Sequence, residues 1–228
     1  MVKKTKYAII VAGGVGSRSG DSLPKQFHNI CGHPMLWWTL RAFRNEDEAT
    51  KLIVVMHPDF IDYWQKTCGD DCAQHSVVAG GATRTLSVAA GLALIPFKED
   101  ALVAVHDAAR PLVSERVIRE GYDMASQWYV GVPAVPVTES IRKGNLRNST
   151  AVDRGEYHIV QTPQVFDNLL LHMAYEEAMQ SEGKVFTDDA SVVDHFGHPI
   201  RLYEGDPRNI KVTYPDDFLI AEFRLSQS

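Results

Sequence analysis

With 228 residues, 45% hydrophobic and 23% charged, the chain is long enough to bury a core and sized for one α/β domain. No apolar run approaches the roughly 20 residues that a membrane-crossing helix needs. The formal net charge of −6 excludes a broad nucleic-acid surface, which relies on clustered Lys and Arg, but allows a small anionic substrate held by a few local cations.

The basic start, Met1 to Lys6, passes into an apolar run with no small-residue cleavage site, so a cytoplasmic protein is expected. Tyr7 to Val11 reads as a first strand, Met35 to Phe43 as a helix, Leu52 to Met56 as a strand and Phe60 to Thr67 as a helix. Val77-Val78 is the next strand. The segment Thr83 to Leu94 has Leu86, Ala90 and Ala93 or Leu94 at helical spacing, and Leu102 to Val105 reads as a buried strand. Ser114 suits a helix N-cap, with Glu115 near the positive end of a helix running to about Ser126. Strands separated by helices imply parallel pairing and a layered α/β sheet.

After Gly131 to Val137 the rhythm breaks. Thr138 to Ile159 is polar and charged, with Gly144-Asn145 as a turn between Ser140-Ile141-Arg142 and Ala151-Val152; it reads as a projecting β-hairpin arm at about 138–159. Two-stranded ribbons are marginal alone in water, so docking on a second subunit is expected. Helices follow at Asn168 to Met179 and at Asp188 to His195, the latter opened by Thr187. A strand near Ile210 to Val212 and a helix at Pro215 to Leu225 complete the chain. The whole, 1–228, is read as one domain. Cys31, Cys68 and Cys72 are odd in number and sparse, which suits a reducing compartment; a zinc reading of Cys68 and Cys72 lacks a second ligand pair.

Ala12-Gly13-Gly14-Val15-Gly16-Ser17-Arg18 follows the first strand, where open α/β sheets place ligands and glycine lets backbone N–H groups approach phosphate. Such a turn can equally be structural. The dinucleotide pattern would need glycine at Ser19 and an acid after Val55-Met56-His57; the P-loop pattern would need Lys after Gly20. Both fail. The loop instead leads to Leu23-Pro24-Lys25-Gln26 and so carries two cations.

These segments, together with Val105-His106-Asp107-Ala108-Ala109-Arg110-Pro111, Thr162-Pro163-Gln164 and Asn209-Ile210-Lys211-Val212-Thr213, resemble the 2-C-methyl-D-erythritol 4-phosphate cytidylyltransferase family in order and spacing, from about Lys6 to Leu225. The resemblance implies a Rossmann-like nucleotide-diphospho-sugar transferase fold, a mainly parallel sheet with a projecting β-arm, and a homodimer. It implies transfer of CMP from CTP to the acceptor phosphate, with Mg²⁺ as the divalent cation.

By resemblance, Arg18 and Lys25 hold the triphosphate and Lys211 positions the incoming phosphate. Two polyanions must meet in this reaction, and cations aimed at phosphate oxygens are the physical answer to their repulsion. Ala12, Gly13, Gly14, Gly16, Gly81, Arg84, Ser87 and Ala108 are assigned to CTP. Ala82 stands where many relatives carry an acid. Asp107, at the carboxyl end of a buried strand, suits a substrate hydroxyl or Mg²⁺ or could cap the next turn; Arg110 follows it. Ser140, Arg154 and Thr162 are assigned to the acceptor, Arg154 as a fork for phosphate. His106 is read as structural, and Trp37, Trp38 and Trp64 as packing residues. A ribitol 5-phosphate cytidylyltransferase shares the donor motifs, and a non-catalytic nucleotide-binding regulator would share the fold.

Overall fold

The computed structural model describes residues 4–14, 23–70, 72–181 and 183–227. Gly16 and Arg18 lie outside the described residues. Strand β1 (Thr5–Ala12) precedes a small hairpin, β2 (Asn29–Ile30) and β3 (His33–Pro34), then α1 (Met35–Glu46), β4 (Lys51–Met56), α2 (Ile61–Thr67), β5 (His75–Ala79), α3 (Arg84–Leu92) and β6 (Ala101–Asp107). Next come α4 (Glu115–Trp128), β7 (Val130–Pro136), the arm strands β8 (Arg142–Gly144) and β9 (Ser149–Ala151), then β10 (His158–Val160) and β11 (Gln164–Asp167). Helices α5 (Asn168–Gln180) and α6 (Asp189–His195), strand β12 (Leu202–Glu204) and α7 (Pro215–Leu225) follow.

The central sheet runs β10-β7-β11-β6-β1-β4-β5, with β12 on β7. Strands β6, β1, β4 and β5 are parallel, as the alternation of strands and helices predicts. Their period-two side chains divide two apolar layers. Ala8, Ile10, Val54 and Ala104 face α1 and α4, where Leu36, Leu40, Phe43 and Tyr122 are buried. Ile9, Ile53, Val55, Val103 and Val105 face α3 and α5, against Val88, Leu92, Leu171 and Ala174. A sheet covered on both faces explains why these strands read as continuous apolar runs. Trp37 and Trp64 are buried in packing roles, as expected.

The parallel pattern does not extend to the whole sheet. Strand β11 inserts between β6 and β7 and is antiparallel to both. Just before it, β10 continues along the same strand β7, also antiparallel. The arm therefore ends earlier than 159, because His158 and Ile159 belong to the sheet; among the described residues β8 and β9 pair only with each other. Ile210 to Val212 is not a strand: Val212 N–H donates to the Ala109 carbonyl at 2.8 Å, without a ladder. The last strand is β12. Thr83 and Ser114 cap α3 and α4 as expected, accepting from Leu86 N–H and Val117 N–H. Helix α6 is capped by Asp188 rather than Thr187, in a reciprocal box with Ser191.

Candidate active site

Parallel strands deliver their carboxyl ends to one edge of the sheet, and there a cleft of about 320 Å³ opens. Ala12, Gly13 and Gly14 follow β1, Gly81, Arg84 and Ser87 surround the start of α3, and Asp107 and Ala108 follow β6; all line the cleft. Lys25 and Lys211 join them from distant parts of the chain. A larger groove of about 730 Å³ runs past Trp38, Arg41, Arg208 and Phe223, but holds none of the sequence-assigned residues.

Backbone approach, more than loop flexibility, accounts for Gly81: a Cβ there would lie 2.5 Å from Leu86 Cβ. The turn is thus structurally required, and it also places Thr83 to cap α3. Ser87, nearly fully buried, directs its hydroxyl to the Thr83 carbonyl at 2.9 Å and the Gly81 carbonyl at 3.3 Å, bracing the same turn.

Asp107 is the electrostatic centre. Lys211 Nζ donates to its Oδ2 at 2.8 Å, Arg84 Nε to its Oδ1 at 3.4 Å, and Arg110 Nε lies 3.9 Å from Oδ2. Burial alone would push this carboxyl up, but Arg84, Lys211 and Arg110 outweigh it and hold the group well below the usual carboxylate range. Arg84 is anchored from behind by Asp189, with Nη2 to Oδ2 at 2.7 Å. Asp189 is fully buried and its other oxygen accepts from Tyr175 Oη at 2.6 Å. Burial disfavours the Arg84 cation, yet Asp189 and Asp107 raise its pKa overall.

Behind Asp107 runs a neutral relay. Asp107 N–H donates to Thr162 Oγ1 at 3.1 Å, and Thr162 Oγ1 lies 3.0 Å from His106 Nδ1, while His106 Nε2 faces the Arg110 carbonyl at 3.2 Å. A carbonyl can only accept, so Nε2 carries the proton and Nδ1 accepts from the Thr162 hydroxyl. Burial pushes the His106 pKa down to about 4, which keeps the ring neutral. Thr162 thus fixes the β6 terminus and does not line the cleft. His106 is structural, as expected. Arg110 Nη1 donates to the Asn209 carbonyl at 2.7 Å, and buried Asn209 donates to the Thr162 carbonyl at 2.9 Å, tying the segment before Lys211 to the same frame.

Lys25 Nζ donates to the Val212 carbonyl at 2.7 Å, one residue beyond Lys211, so two cations separated widely in sequence share one wall. Gln26, given no role from sequence, is buried and donates to the Ala12 and Gly14 carbonyls at 2.6 and 3.0 Å, holding the glycine loop. Asp189 was also missed. The pair of acids after Thr187 was the only signal for it, and that signal pointed to helix capping. Ser140 and Arg154 are exposed near the arm and do not line the cleft; Arg154 Nη1 donates to the Thr138 carbonyl.

One carboxylate in a cleft of cations is not a protein-built metal cage. Its two oxygens retain acceptor capacity beyond the Lys211 and Arg84 bonds, which suits the single carboxylate contact that Mg²⁺ needs when phosphates and water fill its other positions.

A mainly parallel sheet flanked by helices, with a glycine turn and paired lysines at the strand ends, defines an α/β nucleotidyltransferase. The pattern of the 2-C-methyl-D-erythritol 4-phosphate cytidylyltransferase family matches residues 7–227. Proteins of that name from Bacteroides thetaiotaomicron and Porphyromonas gingivalis are 44% and 42% identical, covering 95% and 99% of this chain and 98% and 100% of theirs. The crystal structure of the Thermus thermophilus enzyme superimposes with a TM-score of 0.79 at 31% identity, covering 99% of this chain and 100% of that one. That of Francisella tularensis gives 0.82 at 29% identity, covering 97% and 100%. The chain belongs to the 2-C-methyl-D-erythritol 4-phosphate cytidylyltransferase family.

Proposed function

We propose that the protein transfers CMP from CTP to 2-C-methyl-D-erythritol 4-phosphate, forming 4-CDP-2-C-methyl-D-erythritol and pyrophosphate on the methylerythritol phosphate route to isoprenoid precursors. The observation that carries this reading is the convergence of Lys25, Lys211 and Asp107 in the cleft of a chain that belongs to this family.

An acceptor phosphate oxygen attacks the α-phosphorus of CTP in line; its new P–O bond forms as the bond to the β-phosphate oxygen breaks, and the electron pair leaves on pyrophosphate. A phosphate monoester is already anionic near neutral pH, so no general base is required. Lys25, with Arg18 of the preceding loop, holds the triphosphate and the charge developing on the α-phosphate. Gly13 and Gly14 keep side chains out of that approach. Lys211 meets the incoming acceptor phosphate, with Asp107 fixing its ammonium and facing the acceptor. Arg84, Ser87, Gly81 and Ala108 line the cytidine side, and Arg84 is kept extended by Asp189. Among the described residues Asp107 is the carboxylate that would hold Mg²⁺, which when bound would supply charge neutralisation at the phosphates.

Ser140 and Arg154 serve the acceptor from the arm, and the working form is a homodimer. Two features support this: Arg154 does not line the cleft of its own chain, and Leu146 of the arm, with Tyr157 and Ile159 just after it, is exposed. Thr162 acts on the acceptor side by holding the Asp107 backbone. Three cysteines that form no disulfide accord with a reducing cytoplasm, and among the described residues no helix is long and apolar enough to cross a membrane.

The test is pyrophosphate release with CTP and Mg²⁺, supplying 2-C-methyl-D-erythritol 4-phosphate and ribitol 5-phosphate in turn. Release with the first alone is expected. Release only with ribitol 5-phosphate would reassign the acceptor, and none with either would leave a nucleotide-binding protein without this activity.

A further inference from the structure

Cys68, Cys72 and His75 take no part in the cleft, yet the fold gathers them. Cys68 caps the end of helix α2, its N–H donating to the Trp64 carbonyl at 2.8 Å. Gly69, at φ +73°, turns the chain back in the left-handed region, and Cys72 N–H reaches the Gly69 carbonyl at 3.4 Å. Strand β5 then begins at His75. One ligand atom from each of the three side chains lies within 4.8 Å of the others, and all three residues are partly buried. The second ligand source that the cysteine spacing lacked is thus supplied by the start of a strand.

The geometry points to a binding site for a thiophilic divalent ion of the Zn²⁺ class at Cys68, Cys72 and His75. Zinc–ligand bonds of about 2.0–2.3 Å place neighbouring ligand atoms about 3.5 Å apart in a tetrahedron, so the group needs to close by little more than about 1 Å. Cysteine with imidazole is the donor set that prefers Zn²⁺ over Mg²⁺. His75 is already oriented in the manner of a metal ligand: its Nδ1 faces the Ala73 carbonyl at 2.6 Å and therefore carries the proton, leaving the Nε2 lone pair available.

In the metal-free arrangement that lone pair accepts from Trp64 Nε1 at 2.8 Å. An entering ion displaces the indole N–H from Nε2. Each thiol gives up its proton to the buffer and donates an electron pair to the ion, so two protons are released per ion with no change of oxidation state. Three protein ligands leave a fourth position for water. The Trp64 bond that must be given up makes this an exchangeable site rather than a closed structural one.

The experiment titrates reduced, chelator-treated full-length protein with Co²⁺ in excess Mg²⁺. The expected result is one Co²⁺ per chain with sulfur-to-cobalt charge-transfer absorption and release of two protons, the Co²⁺ then displaced by Zn²⁺ without further proton release and unaffected by Mg²⁺. The band should be lost in the Cys68→Ser/Cys72→Ser variant, with folding checked by circular dichroism, and weakened in His75→Gln. No band in the reduced wild-type protein would overturn the proposal. So would a band that persists in the double cysteine variant, since it would belong to Cys31.

Discussion

Arg84 Nη2 stands 2.7 Å from Asp189 Oδ2, and Asp189 has no exposure to solvent. A cleft-lining guanidinium is thereby held from inside the protein rather than by the cleft itself. Removing one partner of a buried ion pair leaves the other charge uncompensated, a loss of about 3–5 kcal/mol. Asp189→Ala is expected to lower stability in urea unfolding by less than that, because Arg84 is partly exposed in the cleft and keeps Asp107 as a partner at 3.4 Å. Asp189→Asn should raise the CTP KM more than it lowers kcat, because Arg84 loses its anchor but remains in the cleft. Unchanged stability in Asp189→Ala would show that Arg84 finds another partner.

Lys25→Ala and Lys211→Ala should each slow turnover by about 100-fold or more, the scale of a lost preorganised transition-state contact. Lys211→Arg should not restore the rate, because a planar fork cannot reproduce a compact ammonium seated 2.8 Å from Asp107. Single-turnover measurements at saturating CTP would separate this from weakened binding. Near-normal rates in both alanine variants would remove the mechanism.

Stability should fall on mild acidification through His106. Its folded pKa of about 4 lies below the ordinary value of 6.5, so the unfolded chain binds the proton first as the pH drops. This contribution is complete above about pH 6.5 and is lost as the pH approaches 4, on the order of 3 kcal/mol in all. His106→Asn keeps an acceptor for the Thr162 hydroxyl but cannot be protonated. The stability gap between wild type and this variant should narrow across that window in urea titrations, and a constant gap would contradict the assignment.

The arm proposal predicts complementation. Lys25→Ala and Arg154→Ala proteins, each nearly inactive, should regain about a quarter of wild-type activity when unfolded together and refolded at equal amounts, if Arg154 serves the partner's cleft in a two-fold dimer. Random pairing makes half of the dimers mixed, each with one intact site. No recovery, with mixed dimers verified by mass spectrometry of tagged chains, would place Arg154 in its own subunit's site.

The parallel half of the sheet was legible in the sequence because its strands are buried on both faces, and burial on both faces writes itself as continuous apolar runs such as Ala8-Ile9-Ile10. Caps at Thr83 and Ser114 were legible for a local reason: a side-chain oxygen bonds an N–H three residues on. The motifs carrying Lys25, Asp107 and Lys211 were legible as residue patterns. Tertiary structure alone decided that β11 runs antiparallel between β6 and β7, and that Ile210 to Val212 joins no ladder. Pairing across a sheet depends on which edge is open, and no local pattern encodes that. The same physics governs charge: Asp189 reaches Arg84 across 105 residues, and His75 joins two cysteines by starting a strand. Interactions that act through space, among groups brought together by burial of other groups, were determined by the fold.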